Sequence, residues 1–125
     1  MLTALSLPVY ASFVQRNDLD LAAQNLATTI RRAETYARAV NYGTAWSVEI
    51  QTSNIVLFQG TVFATRDTAL DETTSIPGSV TPSGLGEIQF TKLSAAPNVT
   101  GTVTLTDAAN EVRTVTINAK GVVSY

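Results

Sequence analysis

Three acidic side chains, Asp67, Asp71 and Glu72, lie close together in a stretch rich in Gly and Pro. Carboxylate oxygens are the ligands that Ca²⁺ prefers, so this spacing makes the three residues a candidate calcium site. The stretch lacks the spacing of an EF-hand, and a solvated acidic loop is the alternative interpretation. Apart from this candidate, the sequence predicts no metal and no cofactor.

The basic residues Arg31, Arg32 and Arg38 form the one local cluster of positive charge in the sequence. A protein binds nucleic acid largely by neutralising phosphates, and three charges supply little affinity. The formal net charge of −2 also gives little field to attract a polyanion. We therefore interpret the cluster as a solvated helix face and expect no nucleic-acid partner, with DNA binding by these arginines as the alternative.

The chain contains neither His nor Cys. Catalysis would then rest on carboxylates, Lys, Tyr or an activated hydroxyl, and no nucleophile-elbow or phosphate-binding motif is present. Glu49 and Glu87 fall in predicted strands where they could face one another, but nothing in the sequence indicates a raised pKa or a cleft there. The sequence therefore predicts a protein that is not an enzyme and has no small-molecule substrate.

The elements that position these residues begin with an apolar stretch, Leu2 to Val14, interrupted by Pro8. It is shorter than the roughly twenty apolar residues that span a bilayer. No basic region precedes it, which disfavours a secretory signal peptide. It reads as part of a longer hydrophobic helix, and a buried helix of an ordinary soluble domain is the alternative.

A periodic pattern follows, in which apolar residues recur every three or four positions and so form one face of a helix. We predict this helix over residues 19–42, ended by Gly43. Asn17, Asp18 and Asp20 either cap a helix that starts there or lie at the polar border of a continuous helix. The buried stripe is predicted to comprise Leu19, Ala22, Leu26, Ile30, Ala33, Ala37 and Val40.

Beyond Gly43, Thr alternates with Val, Ile, Leu and Phe, which is typical of strands wet on one face. The chain is long enough for one domain with one modest core. The predicted fold class is α+β, with a long N-terminal helix packed on antiparallel β-sheet from the β-rich region 44–125. The predicted segments are strands at 44–51 and 55–58, an extended piece at 61–64, a long loop at 65–86, and strands at 87–90, 102–106, 111–118 and 122–125.

Several of these segments together resemble the GspH/FimT group of minor pilins, within the type IV pilins and type II secretion pseudopilins. Leu5–Phe13 is similar to the end of the conserved hydrophobic helix of those proteins, including its helix-kinking proline. The order of the remaining segments completes the resemblance over nearly the whole chain. These segments are Leu26–Asn41, Ile55–Gly60, Ile88–Phe90, Gly101–Leu105 and Gly121–Val123.

The resemblance implies assembly rather than chemistry. Further apolar residues precede the region matching Leu2 in the family, so residues 1–18 correspond to a remnant of the membrane and assembly helix. Residues 19–125 correspond to the globular pilin-like domain. The resemblance implies helix-to-helix packing through Leu5, Leu7, Pro8, Val9, Tyr10, Phe13 and Val14.

The family also implies a location and a set of partners. Its members are anchored in the inner membrane before assembly and then enter an extracellular or periplasmic filament, so the expected partners are other pilin or pseudopilin subunits and the membrane. Three alternatives stay open: a major pilin, a DNA-binding minor pilin in DNA uptake, and a Thr-rich extracellular adhesion or carbohydrate-binding domain that recognises its ligand through the loop 65–86.

Overall fold

One long helix, α1 (Leu2–Arg38), forms the N-terminal part of the protein. The computed structural model describes residues 2–40 and 43–125, with the side chains of α1 described from Asn17 onward. Asn17, Asp18 and Asp20 lie inside α1, so the continuous helix is the observed one of the two interpretations that the sequence left open. The helix thus runs from the apolar stretch into the amphipathic stripe.

The C-terminal end of α1 is closed by a distant segment. The carbonyl of Ala37 accepts hydrogen bonds from the backbone N–H of Val40 at 3.1 Å and of Leu93 at 2.9 Å. Val40 has a φ of +54°, in the left-handed region that often ends a helix. The predicted helix end at residue 42 is therefore wrong: α1 ends at Arg38, because a donor far away in the sequence closes it there.

Eight strands lie within the described residues 43–125 and form two antiparallel sheets. The first sheet has the order β3-β2-β1-β5 and the second the order β4-β6-β7-β8, so the chain crosses between the sheets after β3, after β4 and after β5. The strands are β1 (Trp46–Ile50), β2 (Asn54–Gln59), β3 (Glu72–Ser75), β4 (Thr81–Gly84), β5 (Glu87–Phe90), β6 (Gly101–Thr106), β7 (Val112–Ile117) and β8 (Val123–Ser124).

The strands predicted at 44–51 and 55–58, and those predicted at 102–106 and 111–118, form two hairpins. In the first, β1 and β2 pair in a register that sets Ile50 opposite Ile55. In the second, β6 and β7 are joined by a turn that starts at Asp107. The Asp107 Oδ1 accepts the backbone N–H of Ala109 and of Glu111, each at 2.9 Å, as expected for an Asp that bonds its own following backbone.

Two predicted segments differ in the structure. The piece at 61–64 is not extended; the chain there forms a short 3₁₀ turn, Phe63–Thr65. The stretch 65–86 is not a plain loop, since it contains a second 3₁₀ turn and the edge strands β3 and β4. These strands escaped prediction because they are short and polar, and β4 carries Pro82, which is tolerated only where no ladder N–H is needed.

The stripe of α1 packs against both sheets and makes one shared core. Leu26 and Ile30 are buried in it together with side chains such as Val48 of the first sheet and Leu105 of the second. Every predicted stripe residue from Leu19 to Ala37 is buried, whereas Val40 is only partly so. The helix is therefore the element that joins the two sheets, and the α+β prediction is confirmed.

Candidate functional site

The predicted assembly residues lie in the first turns of α1. Their backbone is helical and continuous with the stripe that packs on the sheets. The side chains of Leu5, Leu7, Pro8, Val9, Tyr10, Phe13 and Val14 lie outside the residues whose side chains the structure describes. Within the part of the chain that is described, no helix combines the length and the apolar character needed to cross a bilayer.

The structure does not bring the three candidate calcium ligands to a common point; each has its own protein partner. The Asp67 carboxylate accepts the backbone N–H of Ala69 at 3.0 Å and so caps a 3₁₀ turn. Asp71 is paired with Arg66 at 2.9 Å. Across residues 2–40 and 43–125, no three acidic side chains form a group that could hold a metal ion.

Glu72, the third candidate ligand, is hydrogen-bonded to two residues of α1. Its Oε1 accepts a hydrogen bond from Arg32 at 2.9 Å, and its Oε2 accepts one from the hydroxyl of Tyr36 at 2.6 Å. Both oxygens are therefore used to fasten the edge strand β3 to α1.

The three candidate DNA-binding arginines are dispersed among separate contacts. Arg31 donates to the carbonyl of Val123 at 3.0 Å, and its guanidinium lies 5.6 Å from the centre of the Tyr125 ring. Arg32 pairs with Glu72, as described above. Arg38 is exposed, and its charge acts on Glu34, whose pKa is raised by burial and partly restored by Arg38 and Arg31. Arg31 and Arg32 thus serve contacts within the domain.

The outer face of the first sheet, opposite α1, carries a second small apolar cluster. Val56 and Phe58 are buried, yet they do not belong to the helix core. Residues 60–71, here called the cover segment, contact β2 through Phe63 and through the second 3₁₀ turn, Thr68–Leu70. The ring of Phe63 in this segment meets the ring of Phe58 edge-on at 5.3 Å between centroids. Sequence periodicity predicts strand faces but not which loop folds back over them, so this cluster was missed.

Polar contacts fasten the cover segment to the sheet. The hydroxyl of Ser47 donates to the carbonyl of Gly60 at 2.6 Å, and the amide of Gln89 donates to the carbonyl of Thr61 at 3.0 Å. Arg66 lies 3.7 Å above the ring centre of Phe63 and donates to that residue's carbonyl at 2.9 Å. The beginning of the segment, at Gly60 and Thr61, is thus held to β1 and β5.

Two carboxyl groups face each other on the same outer surface. Glu49 of β1 and Glu87 of β5 are direct cross-strand partners, as the sequence had suggested they could be. The pKa of Glu49 is raised to about 7, chiefly by burial and then by a hydrogen bond with the Glu87 carboxyl and by the negative charge of Glu87. Nothing in the sequence indicated the raised pKa of Glu49, because that shift depends on burial that periodicity does not reveal.

A groove of about 350 Å³ lies between α1 and the outer edge of β7. Its walls include Gln24, Thr114 and Tyr125, and an ion pair between Arg113 and Asp20 at 2.8 Å bridges it. These side chains carry no recognisable catalytic arrangement.

Comparison with known proteins places the fold. No protein-family model and no curated protein sequence matches the chain. Among solved structures, the chain is similar to the minor pseudopilin EpsH from the type 2 secretion system of Vibrio cholerae, with a TM-score of 0.65 and 16% sequence identity. The match covers 86% of this chain and 94% of that one. With one N-terminal helix packed on two antiparallel sheets, this protein has the pilin-like α+β fold of that pseudopilin.

Proposed function

We propose that this protein is a structural subunit, a minor pilin or pseudopilin, of a type IV pilus-like or type II secretion filament. The observation that carries the proposal is the shared architecture with a minor pseudopilin over most of both chains. Its partners are then other pilin or pseudopilin subunits. Its place is the cell envelope, first anchored in the inner membrane and then in a periplasmic or extracellular filament.

The continuity of α1 supports a mechanism of assembly. The residues that pack on the sheets begin at Leu19, and the same helix extends in the N-terminal direction to Leu2. We assign packing between subunits to the apolar residues of that extension, Leu5 to Val14. The sheets and the cover segment then form the outward surface of the filament.

Because the sequence contains no cysteine, an introduced cysteine is the only one in the chain and assembly can be tested by disulfide formation. Val9→Cys is introduced into the native gene in its own host, with Lys120→Cys in an exposed turn as the matched control. Filaments are sheared, oxidised and separated without reductant. We expect disulfide-linked dimers between the Val9→Cys chain and a filament subunit that carries a single cysteine, and no such dimers for Lys120→Cys.

The same preparation distinguishes the class of subunit. A trace quantity in sheared filaments supports a minor subunit, and a predominant quantity supports a major pilin. Absence of the protein from both filament and membrane fractions contradicts the filament function.

A further inference from the structure

The Glu49–Glu87 pair lies where the first sheet meets the cover segment. Cross-strand partners share one face of a sheet, and Glu49 is opposite both Glu87 of β5 and the buried Val56 of β2. Glu49 Oε2 is enclosed and has no hydrogen-bond partner. The pair therefore belongs to the border of the covered cluster rather than to open solvent.

A short chain of hydrogen bonds connects the pair to the cover segment. The amide of Gln89 donates to Glu87 Oε1 at 2.6 Å and also to the carbonyl of Thr61 at 3.0 Å. The position of the Glu87 carboxyl thus orients the amide that holds the beginning of the cover segment. A displacement of Glu87 is expected to weaken the bond to Thr61.

The charges that face Glu49 favour one shared proton. Glu87 faces it from β5, and Arg66 acts on it from the cover segment, while β2 presents the uncharged Val56 and Phe58. Arg66 is already paired with Asp71, so its charge is largely balanced. Two ionised carboxylates at this position would repel each other with little compensation.

We propose that Glu49 and Glu87 form a proton-controlled latch, in which one shared proton holds the cover segment closed on the first sheet and loss of that proton releases it. While the proton is present, the two carboxyl groups hydrogen-bond and Glu87 orients Gln89 toward Thr61. When the proton leaves to solvent, the carboxylates separate and the bond to Thr61 is lost. The latch goes beyond filament assembly and operates whether or not the chain assembles.

The direction and range of the response follow from the protonation of Glu49. Its pKa is raised from the usual 4.5 to about 7 in the closed arrangement, and opening to water returns it toward the usual value. The closed form therefore binds more protons than the open form between these two values. Closure is favoured at acidic pH and is lost as the pH rises through 7.

Amide hydrogen exchange followed peptide by peptide tests the latch on the purified chain between pH 5.5 and 8.5. Rates are corrected for base-catalysed intrinsic exchange. We expect the protection of residues 60–71 to fall several-fold across this range, while the ladder between β6 and β7 keeps its protection. Glu49→Gln supplies a permanent donor to Glu87, so its cover segment should stay protected throughout.

Glu34→Gln is the matched control, because the pKa of Glu34 is also raised by burial but this residue lies on α1, away from the cover segment. It should leave the pH response of residues 60–71 as in the unmodified protein. Unchanged protection of the cover segment from pH 5.5 to 8.5, or a response that persists in Glu49→Gln, overturns the latch. So does a response that disappears in Glu34→Gln.

Discussion

The hydroxyl of Tyr36 donates a 2.6 Å hydrogen bond to Glu72 Oε2, which joins the helix to the edge strand β3 of the first sheet. The Tyr36 ring also packs edge-on against Trp46, with 4.9 Å between ring centres. One aromatic residue of α1 thus holds the centre of the first sheet by its ring and the edge by its hydroxyl.

Tyr36→Phe should lower the free energy of unfolding by about 1 kcal/mol, because it removes the hydroxyl and keeps the ring against Trp46. Urea denaturation measures the loss. The hydrogen bond to Glu72 also raises the pKa of Tyr36, so Glu72→Gln should lower the pH at which this phenol ionises. A cost for Tyr36→Phe that is unchanged in a Glu72→Ala background would show that the bond contributes nothing.

Leu26→Ala should destabilise the protein by about 2–5 kcal/mol, since it opens a cavity where the helix meets both sheets. Leu21 is the matched control because it is the same residue type on the same helix, but 46% exposed where Leu26 is 0%. Leu21→Ala should change stability by less than about 1 kcal/mol. Equal costs for the two variants would contradict the observed orientation of α1.

Gly84→Ala should disrupt the pairing of β4 with β6. Gly84 has a φ of +94°, and an added Cβ would lie 2.3 Å from the backbone oxygen of Thr102. Backbone strain alone is expected to cost about 1–3 kcal/mol, before the clash is counted. Gly78→Ala is the control, since no atom lies within 4 Å of its Cβ position, and it should unfold at the temperature of the unmodified protein.

Thr104 and Thr114 are opposite each other in β6 and β7, but they differ in whether another strand flanks them on the outer side. Proline substitution at the two positions therefore tests which backbone N–H groups are paired. Thr104 of β6 is flanked on its other side by Ser83 of β4, whereas β8 pairs with β7 only at Thr116 and Ile117. The outward N–H of Thr114 therefore belongs to no ladder in the described structure. Thr104→Pro should cost about 1–3 kcal/mol more than Thr114→Pro, measured by thermal unfolding. Equal costs would mean that the edge of β7 is paired.

Global stability should decrease as the pH rises from 4.5 to above 7. Glu49 has a raised pKa when folded, so the folded state binds more protons than the unfolded state within that interval, and the free energy of unfolding falls with pH. The stabilisation is complete below the unfolded pKa and is lost as the pH passes the folded one. Urea denaturation at several pH values should show a smaller decline in Glu49→Gln. An identical decline in both proteins would show that Glu49 is not the titrating group.

Periodicity was sufficient for the elements with one clear buried face. The stripe from Leu19 to Ala37 and the alternation of β1, β6 and β7 predict the observed elements, because burial of one face imposes those periods. β2 was predicted from a continuous apolar run instead, and it is buried on both faces. The edge strands β3 and β4 carry no such signal, since neither buries an apolar row. Local sequence patterns could not predict the end of α1 either, because the N–H of Leu93, which bonds to the helix there, comes from a turn that is distant in the sequence.

The candidate sites likewise include features that local sequence patterns predict and features that depend on the folded arrangement. Spacing identified Asp71 and Glu72 as possible ligands, yet each is paired with a basic residue: Asp71 with the nearby Arg66, and Glu72 with Arg32 of the distant helix α1. Glu49 and Glu87 were recognised as possible neighbours from strand alternation. The raised pKa of Glu49 depends chiefly on burial, which only the folded arrangement supplies.

The junction of α1 with both sheets has a mechanical consequence. A pull applied to the N-terminal end of the helix is carried along its axis and reaches residues of the first sheet and of the second at the same time. Interlocked side chains then resist in shear over several turns, and no strand ladder is peeled open one bond after another. The shared core thus allows the helix to transmit a pulling force to the domain without either sheet detaching first.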